Sequence, residues 1–441
     1  MSKPFHVVII GGGPGGLATA LSLAQHPSCS TSPVRITVLE LRDTVQTIGG
    51  AINLTPLALR YLDSLGAGKR LRPRGSPVSA IELVAHRTGH LLGQLWPGVD
   101  ALRVQRQYLV ESLLAALREE TDSKLVTIEY GARVVDIEEY GDSGNGAGGV
   151  RVVWSKAGND GDRHVIDADL VVGADGIHSQ VRSFFDANRE KTYSGKCVAY
   201  GFIRTTPEEA AQWKRADGEP LVTDTTLVQH GSQSLLVTYY QAQGVRDGLY
   251  LAAVMPVEDA SPANGGNGAA SSREGWSVRS ADKAGLKRDI AAMFSGGSLP
   301  CLEEIIGRCE DWFFYPVYML PPDGTWSSGR LQLIGDAAHA MPPQGESTGV
   351  AMEDGVLLAH VLSRRDSRSV AQMLGDYDKL RRSDVNSLYK SSMARWRGSS
   401  SAKPGWLGSV FMEWMSWAVV TYLSYTSGHF GRDVRDLPLP E

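Results

Sequence analysis

Residues 5–16 read Phe5-His6-Val7-Val8-Ile9-Ile10-Gly11-Gly12-Gly13-Pro14-Gly15-Gly16, an apolar run that ends in glycines spaced G-x-G-x-x-G at 11, 13 and 16. Leu17 to Ala24 then reads as a helix, and a second apolar run covers Val34 to Leu41. Strand, helix and strand at this spacing form a βαβ unit, so the two strands should run parallel. Here the glycines permit a tight turn, let the backbone approach a pyrophosphate and let helix pack closely on strand. The helix N-terminus, opened by Pro14 and Gly15, turns its positive end to the phosphates. Glu40 ends the second strand, where a carboxylate accepts hydrogen bonds from an adenosine ribose and repels a 2′-phosphate. Arg42 follows it and joins the expected nucleotide site.

The glycine spacing alone is weak evidence, because Gly144-Asn145-Gly146-Ala147-Gly148-Gly149 also satisfies it. That match lies between two strand-like runs, Arg133 to Tyr140 and Val150 to Trp154, so it reads as a hairpin tip with no helix dipole behind it.

Further along, Leu170-Val171-Val172-Gly173-Ala174-Asp175-Gly176 and Leu331-Gln332-Leu333-Ile334-Gly335-Asp336 are apolar runs closed by a glycine and an acid. Both read as buried strands of the same parallel sheet. Between them, period-2 segments at Val198 to Arg204, Leu235 to Tyr240 and Leu249 to Val257 suggest a second, mostly antiparallel sheet. The fold class is therefore α/β, a Rossmann-like domain with a parallel sheet interleaved with an antiparallel β-sheet domain and followed by a helical C-terminal segment. The expected boundaries are 1–76, 101–186 and 322–395 for the discontinuous dinucleotide-binding domain, 77–100 and 187–321 for the substrate domain, and 396–441 for the C-terminal segment.

Composition limits the partners. Of 441 residues 49 are glycine, about 11 % against a usual 7 %, and a net charge of −5 with dispersed basic residues excludes a nucleic-acid footprint. The cysteines Cys29, Cys197, Cys301 and Cys309 show no zinc or disulfide spacing and read as reduced thiols in a cytoplasmic protein. Val7 to Ile10 is too short an apolar run for a signal peptide, so no secretion is expected.

Asp336-Ala337-Ala338-His339, followed by Pro342-Pro343 and a helix from about Thr348, puts a carboxylate at the C-terminal edge of the sheet, the ligand crevice of open parallel sheets. With the glycine motif at 11–16 and the segment Gly173 to Gly176 with His178, Ser179 and Arg182, this order of motifs resembles the single-component FAD-dependent aromatic hydroxylases, the class A flavoprotein monooxygenases that include p-hydroxybenzoate and salicylate hydroxylases. The resemblance covers roughly residues 5–390. It implies bound FAD, with NAD(P)H and O2 as co-substrates. As that family works, oxygen adds at flavin C4a and one atom passes from the resulting hydroperoxide to an electron-rich carbon, which implies a small-molecule substrate of aromatic degradation or secondary metabolism. It implies FAD roles for Glu40 at the adenosine ribose, Asp336 at the ribityl chain and Arg106 near the pyrophosphate, with Arg103 a near alternative. Asp175 and Gly176 are implied beside FAD and the nicotinamide, Gly50 and Ala51 under the flavin ring, and Gly349 in the helix start beside it. Ser347 stands where the family usually has another glycine. The resemblance needs no metal, and His339 is structural or flavin-adjacent in this motif.

Three other readings are weighed. A flavin-dependent halogenase would carry a W-x-W-x-I-P signature, which is absent, and a two-dinucleotide monooxygenase would need a second helix-opening glycine motif. A non-catalytic FAD-binding redox sensor or scaffold is opposed by the intact segment at 335–339.

Substrate groups are expected from the middle domain. Alternation puts Tyr200, Phe202 and Arg204 on one face as an aromatic wall with an anion anchor, and Pro342 and Pro343 are further pocket candidates. Tyr239 or Tyr240 faces inward, and a tyrosine or His230 could accept a phenol proton. Arg204, Tyr239 and His230 are thus the catalytic candidates, none of them assigned. The tail holds Trp396, Trp406, Trp414 and Trp417, with Glu413 the single formal charge from Trp406 to Leu423. It reads as a cap on the pocket, with peripheral membrane contact the alternative.

Overall fold

The structure is a computed structural model and describes residues 4–441 apart from 31, 46–49, 123, 142–147, 157, 242–244, 258–267 and 398–427. Phe5–Ile10 lies inside a six-stranded sheet ordered Ser327–Ser328, Leu331–Leu333, Leu170–Gly173, Phe5–Ile10, Val34–Glu40 and Val126–Tyr130. All pairings are parallel except that of Ser327–Ser328 with Leu331–Leu333. Val7, Val8 and Ile9 are fully buried, as continuous β-branched runs must be in a parallel sheet covered on both faces. The register sets Ile10 opposite Gly173 and Gly173 opposite Leu333. The three glycine-containing turns that follow these strands are therefore brought to one edge of the sheet.

The helix Pro14–Gln25 crosses the helix Ser347–Leu362 at very close range. A Cβ on Gly355 would stand 2.3 Å from Thr19 Oγ1 and 2.9 Å from the Thr19 backbone nitrogen, so only glycine permits this approach. An antiparallel sheet of Ala132–Tyr140, Gly149–Lys156 and Asn159–Ala168 adds Val134, Val150 and Trp154 to the same core. Its first two strands pair Tyr140 with Gly149, so the second glycine motif connects a hairpin; residues 142–147 of it lie outside the described ones.

The second sheet has seven strands, ordered Phe313–Met319, Thr192–Arg204, Gly248–Pro256, Gln233–Tyr239, Thr225–His230, Ile81–Ala85 and Leu91–Leu95. It is antiparallel apart from the parallel pair Thr225–His230 with Ile81–Ala85. Alternation sends Cys197, Ala199 and Ile203 into a core shared with the helices Lys283–Met293 and Cys301–Arg308, and Val198 and Tyr200 to the opposite side. A third, small sheet of Ala51–Leu54, Ala101–Gln105 and Ser76–Val78 leads into the helix Arg106–Glu120.

The helical C-terminal region is the 28-residue helix Val370–Arg397, whose end buries Trp396 beside Ala51, Val198 and Tyr200. Trp406, Trp414 and Trp417 lie outside the described residues. From Gly428 onward the described chain has one short 3-10 turn and no α-helix, and it returns to the first domain, where Arg60 donates to Phe430 O at 2.8 Å and Val434 N to the Tyr61 hydroxyl at 3.1 Å. Among the described residues no helix is long and apolar enough to cross a membrane.

Gly355→Ala should force the two helices apart and lower the thermal unfolding midpoint by about 2–10 °C, the usual effect of overpacking a core contact. An unchanged midpoint in a calorimetric scan would remove the close-approach argument.

Candidate active site

At the sheet edge Gly11 N donates to Leu39 O at 2.8 Å and Ala174 N to Ile10 O at 2.8 Å. Gly11 has φ +111°, and a Cβ on Gly16 would lie 2.0 Å from Gly11 O, so both glycines are required for the turn. Gly12 N donates to Glu40 Oε2 at 2.7 Å and Arg42 N to Glu40 Oε1 at 2.9 Å. These interactions aim the Glu40 carboxylate across the start of the helix Pro14–Gln25, which no side chain caps. Gly13 faces open space, and Gly12, Gly13, Pro14, Glu40, Arg42 and Arg106 line a small pocket here. Gly15 packs on Ala351 instead, a Cβ there standing 3.3 Å away.

Arg106 also lines a second, far larger cavity of about 2050 Å3 and so borders both. The first turn of its helix is fixed to the glycine segment, with Arg106 N donating to Gly50 O at 3.2 Å. Around Arg106 the cavity is walled by Gly50, Ala51, Asp336, Pro343 and Thr348. Asp336 is open to cavity solvent yet surrounded by protein, and no group among the described residues hydrogen-bonds its carboxylate. Burial pushes that carboxyl up from its ordinary value, and Arg106 and His339 pull it partly back. Pro342 is buried behind Pro343 and does not line the cavity; Gly349 is likewise buried, against Ala58.

Asp175 has a local partner. Its Oδ2 accepts from Gln180 N at 2.7 Å and Val181 N at 3.3 Å, at the start of the helix Gln180–Phe185, while Oδ1 is buried without a partner. Burial pushes the Asp175 carboxyl up, against the hydrogen bonds it accepts. Gly176 beside it has φ +76° and open space around it.

The turn that carries Asp336 is anchored by an ion cluster that the sequence reading did not identify. Asp354 Oδ2 accepts from Gly335 N at 2.7 Å and lies 2.8 Å from His339 Nε2, and Asp354 Oδ1 accepts from Arg381 Nε at 2.6 Å. Arg381 also donates to Glu353 at 2.5 Å and Val350 O at 3.0 Å, and Glu353 accepts from Tyr61 at 3.0 Å and from Arg432. Burial alone would raise the Asp354 carboxyl, but His339 and Arg381 hold it well below the usual carboxylate range. The available signal was the pair Glu353-Asp354 inside an otherwise apolar helix, since two buried acids demand a cation. The loop that follows is tied down by Arg395, which donates to Gln344 at 2.9 Å and Glu346 at 2.6 Å.

The substrate wall differs from expectation. Tyr200 lines the cavity, stacked on Phe313 with ring centres 5.1 Å apart, but Phe202 turns its ring to Tyr240 at 4.9 Å and lies outside the lining. Arg204, at the far end of the same strand, is exposed and also outside it, so it cannot anchor a ligand there. Alternation gives the face of the strand but not how far along it the cavity extends. Tyr239 is buried in the helix-covered core and outside the lining. Burial pushes Tyr200, Tyr239 and Tyr240 up and Tyr315 to about 12, which disfavours any of them as a base near neutral pH. His230 lines the cavity, stacked 4.4 Å from His86. The buried cation at the cavity is Arg103, 5 % exposed, which burial pulls down to about 10 against the opposing influence of Tyr250 and Asp224.

Residues 5–242 match the FAD-binding domain family, and the chain belongs to it. It is 29 % identical to a salicylate hydroxylase of Pseudomonas putida, over 86 % of this chain and 82 % of that one. It is 27 % identical to phenazine 1,6-dicarboxylic acid hydroxylase PhzS of Lysobacter antibioticus, over 88 % and 89 %. Among solved structures it shares its fold with Klebsiella pneumoniae HpxO complexed with FAD and uric acid, at TM-score 0.69 and 22 % identity over 96 % of this chain and 94 % of that one. A salicylate hydroxylase substrate complex gives TM-score 0.71 at 18 % identity, over 97 % of both chains. The chain is an FAD-dependent monooxygenase of the aromatic hydroxylase class.

The residues present fit FAD. An uncapped helix start with open space at Gly13 suits a pyrophosphate, Glu40 beside it suits a ribose, and the Asp336 carboxylate, without a hydrogen-bond donor of its own, suits a polyol chain.

Asp336→Ala should keep its fold and lose FAD occupancy by about tenfold or more, since charged-group hydrogen bonds are lost; equal flavin content per protein after gel filtration would refute this role. Asp354→Asn should cost about 3–5 kcal/mol by breaking a buried pair. The native Asp354 pKa is depressed, so its contribution is full above the unfolded value of about 3.9 and fades as pH falls through the folded value. The deficit in denaturant titrations should therefore stay constant from about pH 5 to 8, and a deficit that vanished at pH 8 would contradict the sign.

Proposed function

We propose that the chain inserts one oxygen atom into the ring of a small aromatic substrate, using a reduced nicotinamide and O2. The observation that carries this reading is that Arg106 borders two cavities, one built from backbone and Glu40, the other from Asp336 and an aromatic wall. Bound FAD supplies the redox chemistry, accepting the hydride and activating oxygen. The chain's own residues bind and orient. Gly11, Gly13, Pro14, Gly16, Glu40 and Arg42 hold the adenosine and pyrophosphate end; Arg106 and Asp336 hold the linker; Gly50, Ala51 and Pro343 border the flavin ring.

The relatives support the substrate class, since salicylate, 3-hydroxybenzoate and 6-hydroxynicotinate appear in their names. On the substrate side Tyr200, Tyr250 and Phe313 give a ring-stacking surface, and the high pKa of the tyrosines keeps them protonated as hydrogen-bond donors. Residues 1–76, 101–186 and 322–395 act as the cofactor body and 77–100 with 187–321 as the substrate body. Cys197, Cys301 and Cys309, which form no disulfide among the described residues, suit a cytoplasmic location.

Purified protein should be yellow with a flavin spectrum, and phenols or aromatic acids should stimulate NADH or NADPH oxidation, with a product heavier by one oxygen atom. A colourless protein that FAD cannot reconstitute, or a basal rate unmoved by a broad aromatic panel, would sink this reading.

A further inference from the structure

The small three-stranded sheet carries a row of buried polar groups that the cofactor roles leave unused. Arg103 occupies its central strand, directly opposite Asn53 on one side and Ser76 on the other. Residues paired in this way project from one face of a sheet. Asn53 is 8 % exposed and Ser76 fully buried, and each member of the row has a polar atom without a hydrogen-bond partner among the described residues: Arg103 Nε, Asn53 Oδ1 and Ser76 Oγ. Asp224 influences Arg103 electrostatically but makes no ion pair with it, and its Oδ2 accepts from Ser79 N at 3.2 Å. A buried guanidinium without a carboxylate among the described residues is costly, and the two unmet polar groups that line the cavity, Arg103 Nε and Asn53 Oδ1, indicate a ligand that completes them, while Ser76 is fully buried and outside the lining.

The position suits a substrate. Arg103 and Asn53 line the large cavity, and Asn53 lies beside Gly345 of the loop that borders the flavin ring, a Cβ there standing 3.4 Å from Asn53 Cβ. Arg106 is three residues further along, about 10 Å of extended chain. Tyr250 lies near enough to act on Arg103 electrostatically, and its ring centre is 5.9 Å from that of Tyr200 in the aromatic wall.

We infer that Arg103, flanked by Asn53 and Ser76, is the specificity-determining residue that holds the carboxylate of an aromatic acid substrate, with the ring directed at the aromatic wall. The inference rests on the monooxygenase reading and adds to it the charge of the substrate and the side of the cavity that recognises it. The guanidinium fork matches a carboxylate with two parallel hydrogen bonds, whereas a neutral amide leaves the buried charge uncompensated.

The test is equilibrium binding to FAD-loaded enzyme, followed by flavin absorbance, with salicylate and benzoate against salicylamide and benzamide. Wild-type enzyme should bind the acids at least about tenfold tighter than the amides. Arg103→Gln should lose that preference by weakening acid binding about 10- to 100-fold while amide binding and FAD content hold. Arg103→Lys should restore part of it. Asn53→Asp gives Arg103 a built-in carboxylate, so it should abolish the acid preference without lowering the thermal midpoint. A preference unchanged in Arg103→Gln, or wild-type enzyme that binds no aromatic acid or prefers the amides, overturns the inference. Failure to hold FAD overturns the functional reading instead, so the two failures are distinct.

Discussion

The site depends on one buried carboxylate. Asp354 receives Gly335 N, His339 and Arg381, and through Arg381 and Glu353 it ties together the turn at 335–339, the helix Ser347–Leu362, the helix Val370–Arg397 and the returning C-terminal segment. Taking several charges out of water is unfavourable, and this cluster offsets the cost only because nearly every lone pair and proton has a partner. The consequence is local precision. Asp336 is one residue from a backbone nitrogen fixed by Asp354, so the carboxylate in the cavity inherits its position from groups that never touch the cavity.

The same helix performs a second task on its other side. Gly355 and Ala351 bring Ser347–Leu362 against the helix Pro14–Gln25 at Thr19 and Gly15, so the two helix starts are held at a fixed separation. A long ligand that reaches from Glu40 to Asp336 requires that separation to be constant. Packing of small residues provides it at one level, and the ion cluster at another.

Much of this was legible in the chain. The β-branched runs ending in glycine specified parallel strands, and their common register brought Gly11, Asp175 and Asp336 to one edge without further information. What was not legible was distance along an element. Alternation put Tyr200, Phe202 and Arg204 on one face, but that strand outruns the cavity, and Arg204 ends exposed beyond it. Arg103 was hidden for a related reason. In sequence it is one of two arginines around a helix start, and only the pairing with Asn53 and Ser76 reveals it as the buried one. The partnership of Asp354 with Arg381 joins two helices whose faces no periodicity relates, although two acids in an apolar helix announced that a cation must come from somewhere.

The two walls of the cavity follow different physical rules. The cofactor side relies on backbone nitrogens, glycines and fixed carboxylates, which suits a ligand whose shape never changes. The substrate side relies on rings and on tyrosines kept protonated by burial, which tolerate many aromatic outlines but offer little charge discrimination. Discrimination then has to come from a charged group that is desolvated, because only there does an unpaired partner carry a large penalty. In the cavity lining Arg106 is exposed and Arg103 is buried, which matches the proposed division between a cofactor contact and a substrate contact three residues apart.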